Sequence, residues 1–261
     1  FPKKGDRGDK DIILPSQRYL KTFDISAGPV AATPVITQAL EWNSRKPFVA
    51  FCQLRSLPIE TYRTTGYRLS ASRSDVTLFK SRLAAKLVEL KARCQLQETP
   101  ITLDFLVLPE VFVPRSFLPE LVKFSQETGA IVIAGLDYPD EENANECVIV
   151  APTGQPIYYR KITRSQYDAQ GSVDPEDRNS LNRGGQLFRF KNKEGATFGV
   201  LICYDFSHLE LMERLNLENG SAPLDLLFVV SHNPFGELYR SCCIADSHRF
   251  YQHIVMCNVA D

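Results

Sequence analysis

The chain has 261 residues, 44% of them apolar, and 30 Lys and Arg against 31 Asp and Glu, for a net charge of −1. That length buries one large core and allows one or two domains, and the near-neutral charge gives no reason to expect a nucleic-acid or membrane partner. No apolar run is long enough to span a bilayer and no signal-peptide pattern opens the chain, which points to a cytoplasmic protein.

The seven cysteines are an odd number without C-x-x-C spacing, which argues against a zinc or dithiol redox site. Cys52, Cys147, Cys203 and Cys257 lie in apolar strand-like runs, where a free thiol behaves as a small hydrophobe; a reducing compartment is therefore expected. The first residue is Phe1, so the chain is read as part of something longer.

Residues 1–11 are charged and Gly-containing and read as a linker or tail; the Arg-Gly-Asp at 7–9 is taken as a chance match. Pro15, Pro29 and Pro34 interrupt residues 12–46, so 1–46 is read as a linker or extension and 47–261 as the main domain. The run FVAFCQL (48–54) reads as a buried strand. Phe79, Leu83, Leu87 and Leu90 share one face of a helix opening near Ser74, a plausible N-cap.

LDFLVL (103–108) reads as a buried strand with Glu110 at its C-terminal end, followed by a helix over 117–128 that Gly129 stops. AIVIAGL (130–136) is a further strand. CVIVAP (147–152), Thr153-Gly154 and QPIYYRK (155–161) predict a hairpin, and LFRF (187–190) with TFGVLIC (197–203) a second. The polar segment 162–186 is long enough to suggest a functional loop. A helix over 207–217, a strand DLLFVVS (225–231), a helix over 237–252 and a strand HIVMCNV (253–259) complete an α/β pattern with helix-covered sheets and no solenoid repeat.

Three reactive groups stand at predicted strand ends: Glu110 after LDFLVLP, Lys161 after PIYYR, and Cys203 after TFGVLI. A scaffold holds side chains firmly at such ends while loops give access. A strand-to-helix turn at Cys203 would surround the thiol with backbone N–H donors. Taken singly, each has a plainer reading: a core cysteine, a capping glutamate, a lysine snorkelling to solvent. Their weight comes from their joint order. His208, five residues after Cys203, makes a Cys–His hydrolase the weaker enzymatic alternative; the remaining histidines, His232, His248 and His253, read as structural or solvated.

The segments LDFLVLPEVFVP, GQPIYYRKITRS and GVLICYDFSHLE resemble, in that order, the glutamate, lysine and cysteine segments of the nitrilase superfamily of carbon–nitrogen hydrolases. The resemblance covers roughly residues 47–261. It implies an α/β fold of the four-layer α-β-β-α sandwich type, here incomplete at the C-terminus, and a catalytic triad of Glu110, Lys161 and Cys203. In that scheme Cys203 attacks an amide or nitrile carbon, Glu110 shuttles the proton, and Lys161 stabilises the oxyanion with the backbone N–H of Tyr204. No metal or organic cofactor is implied. The implied partners are a small-molecule amide, carbamoyl-amine or nitrile substrate, with amides ahead of nitriles, and further copies of the chain in a homo-oligomer.

A second carboxylate follows the lysine in many members; Asp168 is the nearest candidate, ahead of Asp174 and Glu176. The helix in CIADSHRFYQHIVMCN, with Asp246, His248, Arg249 and Tyr251, departs from the family's charge pattern although Asn258 fits, and the chain stops at Asp261 where the family continues. These departures leave open a catalytically degenerate module for binding or oligomeric assembly in a larger protein. One such setting is an antiviral defence fusion with a bacterial reverse transcriptase, the one context in which a nucleic-acid partner is expected. Substrate choice is expected to lie in segments 55–72, 112–117, 162–186 and 232–240.

Overall fold

The computed structural model describes residues 33–43, 45–69, 73–96, 101–165, 168, 181–217, 222–234 and 236–259. The Arg-Gly-Asp at 7–9, Asp174 and Glu176 lie outside them. Two five-stranded sheets form the centre. One has the order β1 (Val35–Ala39), β7 (Leu187–Lys191), β8 (Thr197–Ile202), β9 (Leu226–Ser231) and β10 (His253–Asn258). The other has β2 (Val49–Phe51), β3 (Phe105–Val113), β4 (Ile131–Leu136), β5 (Glu146–Val150) and β6 (Ile157–Arg160). Both predicted hairpins are present as the antiparallel pairs β5–β6 and β7–β8.

Every residue of β3, β4, β5, β8 and β9 is buried, as strands covered on both faces must be. Alternation divides them between two cores. Phe105, Val107, Ile131 and Ile133 face Phe198, Val200, Phe228 and Val230 across the sheet–sheet interface. Trp42, Phe105, Phe198 and Phe228 interlock there, with Phe105 and Phe228 ring centroids 4.8 Å apart and Trp42 edge-on to Phe198 at 5.0 Å. Leu106, Leu108, Val132 and Val148 point outward instead, onto the helices α2 (Ser74–Gln95) and α3 (Leu118–Thr128) through Phe79, Leu83, Leu121 and Phe124. The remaining layer is α4 (Leu209–Leu217) and α5 (Gly236–Phe250) on the first sheet. A Cβ on Gly199 would sit 2.7 Å from the Leu215 side chain, which shows how closely α4 lies on β8. This is the expected α-β-β-α sandwich. Among the described residues no helix is long and apolar enough to cross a membrane, and all seven cysteines are free thiols.

Several elements differ in detail from the sequence reading. Ser74 is the first helical residue of α2 and Arg73 holds the cap position; the Asp75 carboxylate accepts from the Val76 amide instead, at 2.9 Å. The strand read over 48–54 shortens to β2 and is followed, after a break, by the short helix α1 (Ile59–Thr64). Residues 33–46, read as the end of an extension, supply β1, which pairs in parallel with β7.

The strand carrying Glu110 does not stop at Pro109. β3 continues to Val113, with its register shifted: the steps Leu108 to Val113 in β3 match only Ala134 to Leu136 in β4. The surplus residues form a bulge at Pro109–Phe112, with Val111 at φ 50°. Opposite the bulge lies Gly135, where an added Cβ would collide with the Glu110 Cα and the Pro109 carbonyl oxygen. Gly135→Ala is therefore expected to destabilise the fold by about 1–3 kcal/mol through overpacking against backbone. Urea unfolding beside Gly129→Ala, whose site is sterically open although φ is +78°, provides the check; equal losses would show that the contact at the bulge is unimportant.

Candidate active site

The two sheets bring the sequence-predicted residues together at one cavity of about 570 Å³. Glu110 comes from the β3 bulge, Lys161 follows the end of β6, and Cys203 opens a 3-10 turn (Cys203–Ser207) directly after β8. Cys203 has φ 43°, a left-handed conformation that a β-substituted residue adopts only when its surroundings impose it. Glu110, Asp168 and Cys203 all line the cavity.

Lys161 is 1% exposed and its Nζ lies 2.9 Å from both Glu110 Oε1 and Asp168 Oδ2. Burial alone would lower its pKa; the Asp168 and Glu110 charges outweigh that and hold the ammonium well above its ordinary value. Burial likewise works to raise the Asp168 carboxyl, but Lys161, Asn145 and the Ser165 amide prevail and hold it below the usual carboxylate value. Of the three carboxylates the sequence offers, Asp168 is the one the described residues place against Lys161; Asp174 and Glu176 lie outside them. Asp168 also accepts from Ser165 N and Oγ, each at 2.7 Å, and from the Tyr138 hydroxyl at 3.2 Å.

Asn145 links the two carboxylates: its Nδ2 donates to Glu110 Oε1 at 2.8 Å and to Asp168 Oδ1 at 3.0 Å. The second Glu110 oxygen, Oε2, accepts from the His232 amide at 2.8 Å. An ionised carboxylate has about four acceptor positions, and the described residues fill three of them, which leaves room among them for one further donor. Burial first, then the Glu110 charge, push the Cys203 thiol up to about 12, with Lys161 pulling the other way. The resting sulfur is therefore protonated near neutral pH.

Asp205, two residues beyond Cys203, holds the Cys203 turn to the end of the strand that precedes Lys161. Its carboxylate accepts from the Tyr159 hydroxyl at 2.6 Å and from Thr163 N and Oγ1 at 2.7 Å. Gly184 closes the other side of that strand end: its amide donates to the Lys161 carbonyl at 2.8 Å, and a Cβ there would strike the Arg160 carbonyl. On the far side of the thiol, Asn233 Nδ2 lies 3.8 Å from Cys203 Sγ. Asn258 holds Asn233 through a reciprocal pair, accepting from Asn233 N and donating to Asn233 O, both at 2.8 Å. Tyr204 is partly buried with its ring edge-on to His208 at 4.9 Å. No hydrogen bond joins His208 to Cys203 among the described residues, and His208 Nε2 is buried without a partner, so the geometry does not favour a Cys–His pair. In the atypical helix, Arg249 pairs with Asp246 at 2.7 Å.

Asn145, the His232 amide and Asn233 were not singled out from the sequence. Asn145 sits in the polar stretch NANE that reads as a loop, and residues 232–233 lie just beyond the strand DLLFVVS. The available signal was the same one that marked the triad, a polar residue at the end of a buried strand. Among the described residues no group of three or more His, Cys, Asp or Glu is placed to hold a metal ion.

No protein-family model matches the chain, and no curated protein sequence does so at a significant level. Solved structures do match in fold. An amidase from Nesterenkonia sp. superposes with a TM-score of 0.56 at 14% identity, covering 84% of this chain and 78% of its own. A CN-hydrolase superfamily protein from Xanthomonas campestris, with an arsenic adduct in its active site, gives 0.53 at 14% identity and 71% coverage of both chains. A Nesterenkonia amidase variant bearing the acetamide moiety of fluoroacetamide on its active-site cysteine gives 0.52 at 14% identity, covering 81% and 76%. The chain therefore has the fold of the nitrilase and CN-hydrolase superfamily.

Removing the ammonium would strand two buried carboxylates. Lys161→Met is expected to destabilise the protein by about 3–5 kcal/mol at pH 7, and the deficit should shrink as pH falls and one carboxylate takes up a proton. In the unaltered protein the sign is opposite. The depressed Asp168 pKa contributes stability that is fully present above the unfolded value near pH ~4 and lost as pH falls through the lower folded value. Guanidinium unfolding of both forms between pH 7 and roughly pH 3 checks this; a deficit that does not vary with pH would contradict it.

Proposed function

We propose that this protein is a thiol-dependent carbon–nitrogen hydrolase acting on a small non-peptide amide. The observation that carries this reading is the buried Glu110–Lys161–Asp168 cluster opening on the same cavity as Cys203. Support comes from the fold neighbours, which are described as amidases, one of them with an amide fragment joined to its active-site cysteine.

In this mechanism the protonated thiol gives its proton to the free position on Glu110 as sulfur attacks the amide carbon. The C=O π electrons move to oxygen, and the oxyanion is met by the fixed charge of Lys161 and the Tyr204 amide. Glu110 then returns the proton to the departing nitrogen, the C–N bond breaks, and a thioester and an amine remain. Water, deprotonated by Glu110, attacks the thioester; the C–S bond breaks, the carboxylic acid leaves, and the proton returns to sulfur. Lys161 keeps its proton throughout, because both of its carboxylate partners favour the ammonium. Asp168 and Asn145 position Lys161 and Glu110 and need not touch substrate.

The test is a panel of primary amides of two to six carbons followed by ammonia release, with intact-mass spectrometry to detect an acyl adduct. Cys203→Ala should abolish turnover, and Glu110→Gln and Lys161→Met should each lower kcat by about 10²–10⁴-fold. Undiminished turnover in Cys203→Ala would overturn the mechanism.

A further inference from the structure

Three consecutive residues at the end of β9 turn toward the reactive groups. The His232 amide donates to Glu110 Oε2 at 2.8 Å, and Asn233 Nδ2 stands 3.8 Å from Cys203 Sγ. Ser231, just before them, is the last residue of β9. β8 and β9 run parallel with Ile202 opposite Val230, so one further step along both chains sets Ser231 beside Cys203. Ser231 is 0% exposed, and its hydroxyl has no hydrogen-bond partner among the described residues. A buried hydroxyl left unpaired is costly and uncommon, because it has given up water and received nothing in return. The neighbouring sulfur accounts for it. Burial first, then the Glu110 charge, raise the Cys203 pKa, while Lys161 and the Ser231 hydroxyl pull it down. A protonated sulfur is a weak acceptor and makes little claim on the hydroxyl. Hydrogen bonds to ionised groups are roughly twice as strong as those between neutral ones, so a thiolate would claim it at once.

Resting on the thiol-hydrolase reading, we propose that Ser231 is a further catalytic residue, whose hydroxyl donates to the Cys203 sulfur as the thiolate develops. The thiol proton passes to Glu110; the serine proton stays on Oγ and turns toward the sulfur, so nothing is transferred to or from Ser231. An interaction that strengthens as charge develops lowers the barrier, whereas one made equally to the resting thiol would not. The unpaired hydroxyl of the resting site is thus a donor held in reserve. The same bond serves the second half of the cycle, where sulfur leaves the thioester as an anion. Asn233 Nδ2 reaches the same sulfur. Two neutral donors then meet the thiolate, and the Lys161 ammonium remains for the oxyanion.

The test needs no amide substrate. Alkylation of Cys203 by iodoacetamide is followed between about pH 7 and pH 9, a range in which the thiolate fraction rises with pH, and is read from the mass of the peptide that carries Cys203. Ser231→Ala should slow it about tenfold throughout that range, as loss of one hydrogen bond to a charged group implies. Ser231→Thr keeps the hydroxyl and should stay within about threefold of the unaltered rate. Urea unfolding of Ser231→Ala should show stability unchanged or raised, because the substitution removes a buried group that has no partner. An unchanged alkylation rate in Ser231→Ala overturns the proposal. So does a loss that Ser231→Thr shares or that comes with lost stability, since either marks a packing role. A Cys203 that resists alkylation in the unaltered protein up to about pH 9 forms no accessible thiolate, which overturns it too. Ammonia release from primary amides is measured alongside. If Ser231→Ala slows alkylation while the unaltered protein hydrolyses no amide, the thiolate donor stands and only the hydrolase reading fails.

Discussion

An ammonium group removed from water stays charged only if fixed negative charge replaces its hydration, and the floor of the cavity is arranged around that need at Lys161. Glu110 and Asp168 supply the compensation, and each must itself be held. Asn145 donates to both, Ser165 and Tyr138 complete Asp168, and the His232 amide takes the other Glu110 oxygen. A lysine with a single carboxylate would be neutral overall and poorly oriented. With two, it is locked in place, and among the described residues Glu110 keeps one open acceptor position.

Neither sheet contains this arrangement alone. Glu110, Asn145 and Lys161 belong to the β2–β6 sheet and its loops, whereas Cys203, His232 and Asn233 follow strands of the other. The aromatic interface of Phe105, Phe198 and Phe228 sets the separation of the sheets, and Asp205 joins the cysteine turn to the lysine strand by direct hydrogen bonds. Backbone strain gathers at the same place: among the described residues four non-glycine residues have positive φ, and of these Val111 follows Glu110 directly and Cys203 lines the cavity. Strain of this kind persists where packing over-determines the geometry.

Most of the architecture was legible because fully buried strands are short apolar runs between turn residues, and because hairpins announce themselves by Gly154 and Gly195. The order of Glu110, Lys161 and Cys203 was equally visible, although Glu110 sits in a bulge within β3 and not at a strand end. Three features were not. The β3 bulge leaves no mark in LPEVFVP, since an apolar run looks alike in or out of register. The choice of Asp168 depended on where residue 168 lies in space relative to Lys161. Asn145 and the His232 amide act through geometry between segments distant in sequence, and a main-chain donor has no residue signature at all. The membership of β1 was hidden for a related reason: a short parallel edge strand draws its stability from a partner far along the chain.

That edge strand has a consequence for the order in which the molecule is made. The β2–β6 sheet has all its strands once synthesis has passed Arg160, but Val35–Ala39 pairs with Leu187–Lys191 and has no sheet to join until that partner emerges. At a translation rate of roughly 5–20 residues per second, the 148 positions from Ala39 to Leu187 take on the order of 7–30 s. Throughout that interval residues 35–39 have been made but lack the strand they pair with, so their β-structure forms only after most of the chain has been synthesised.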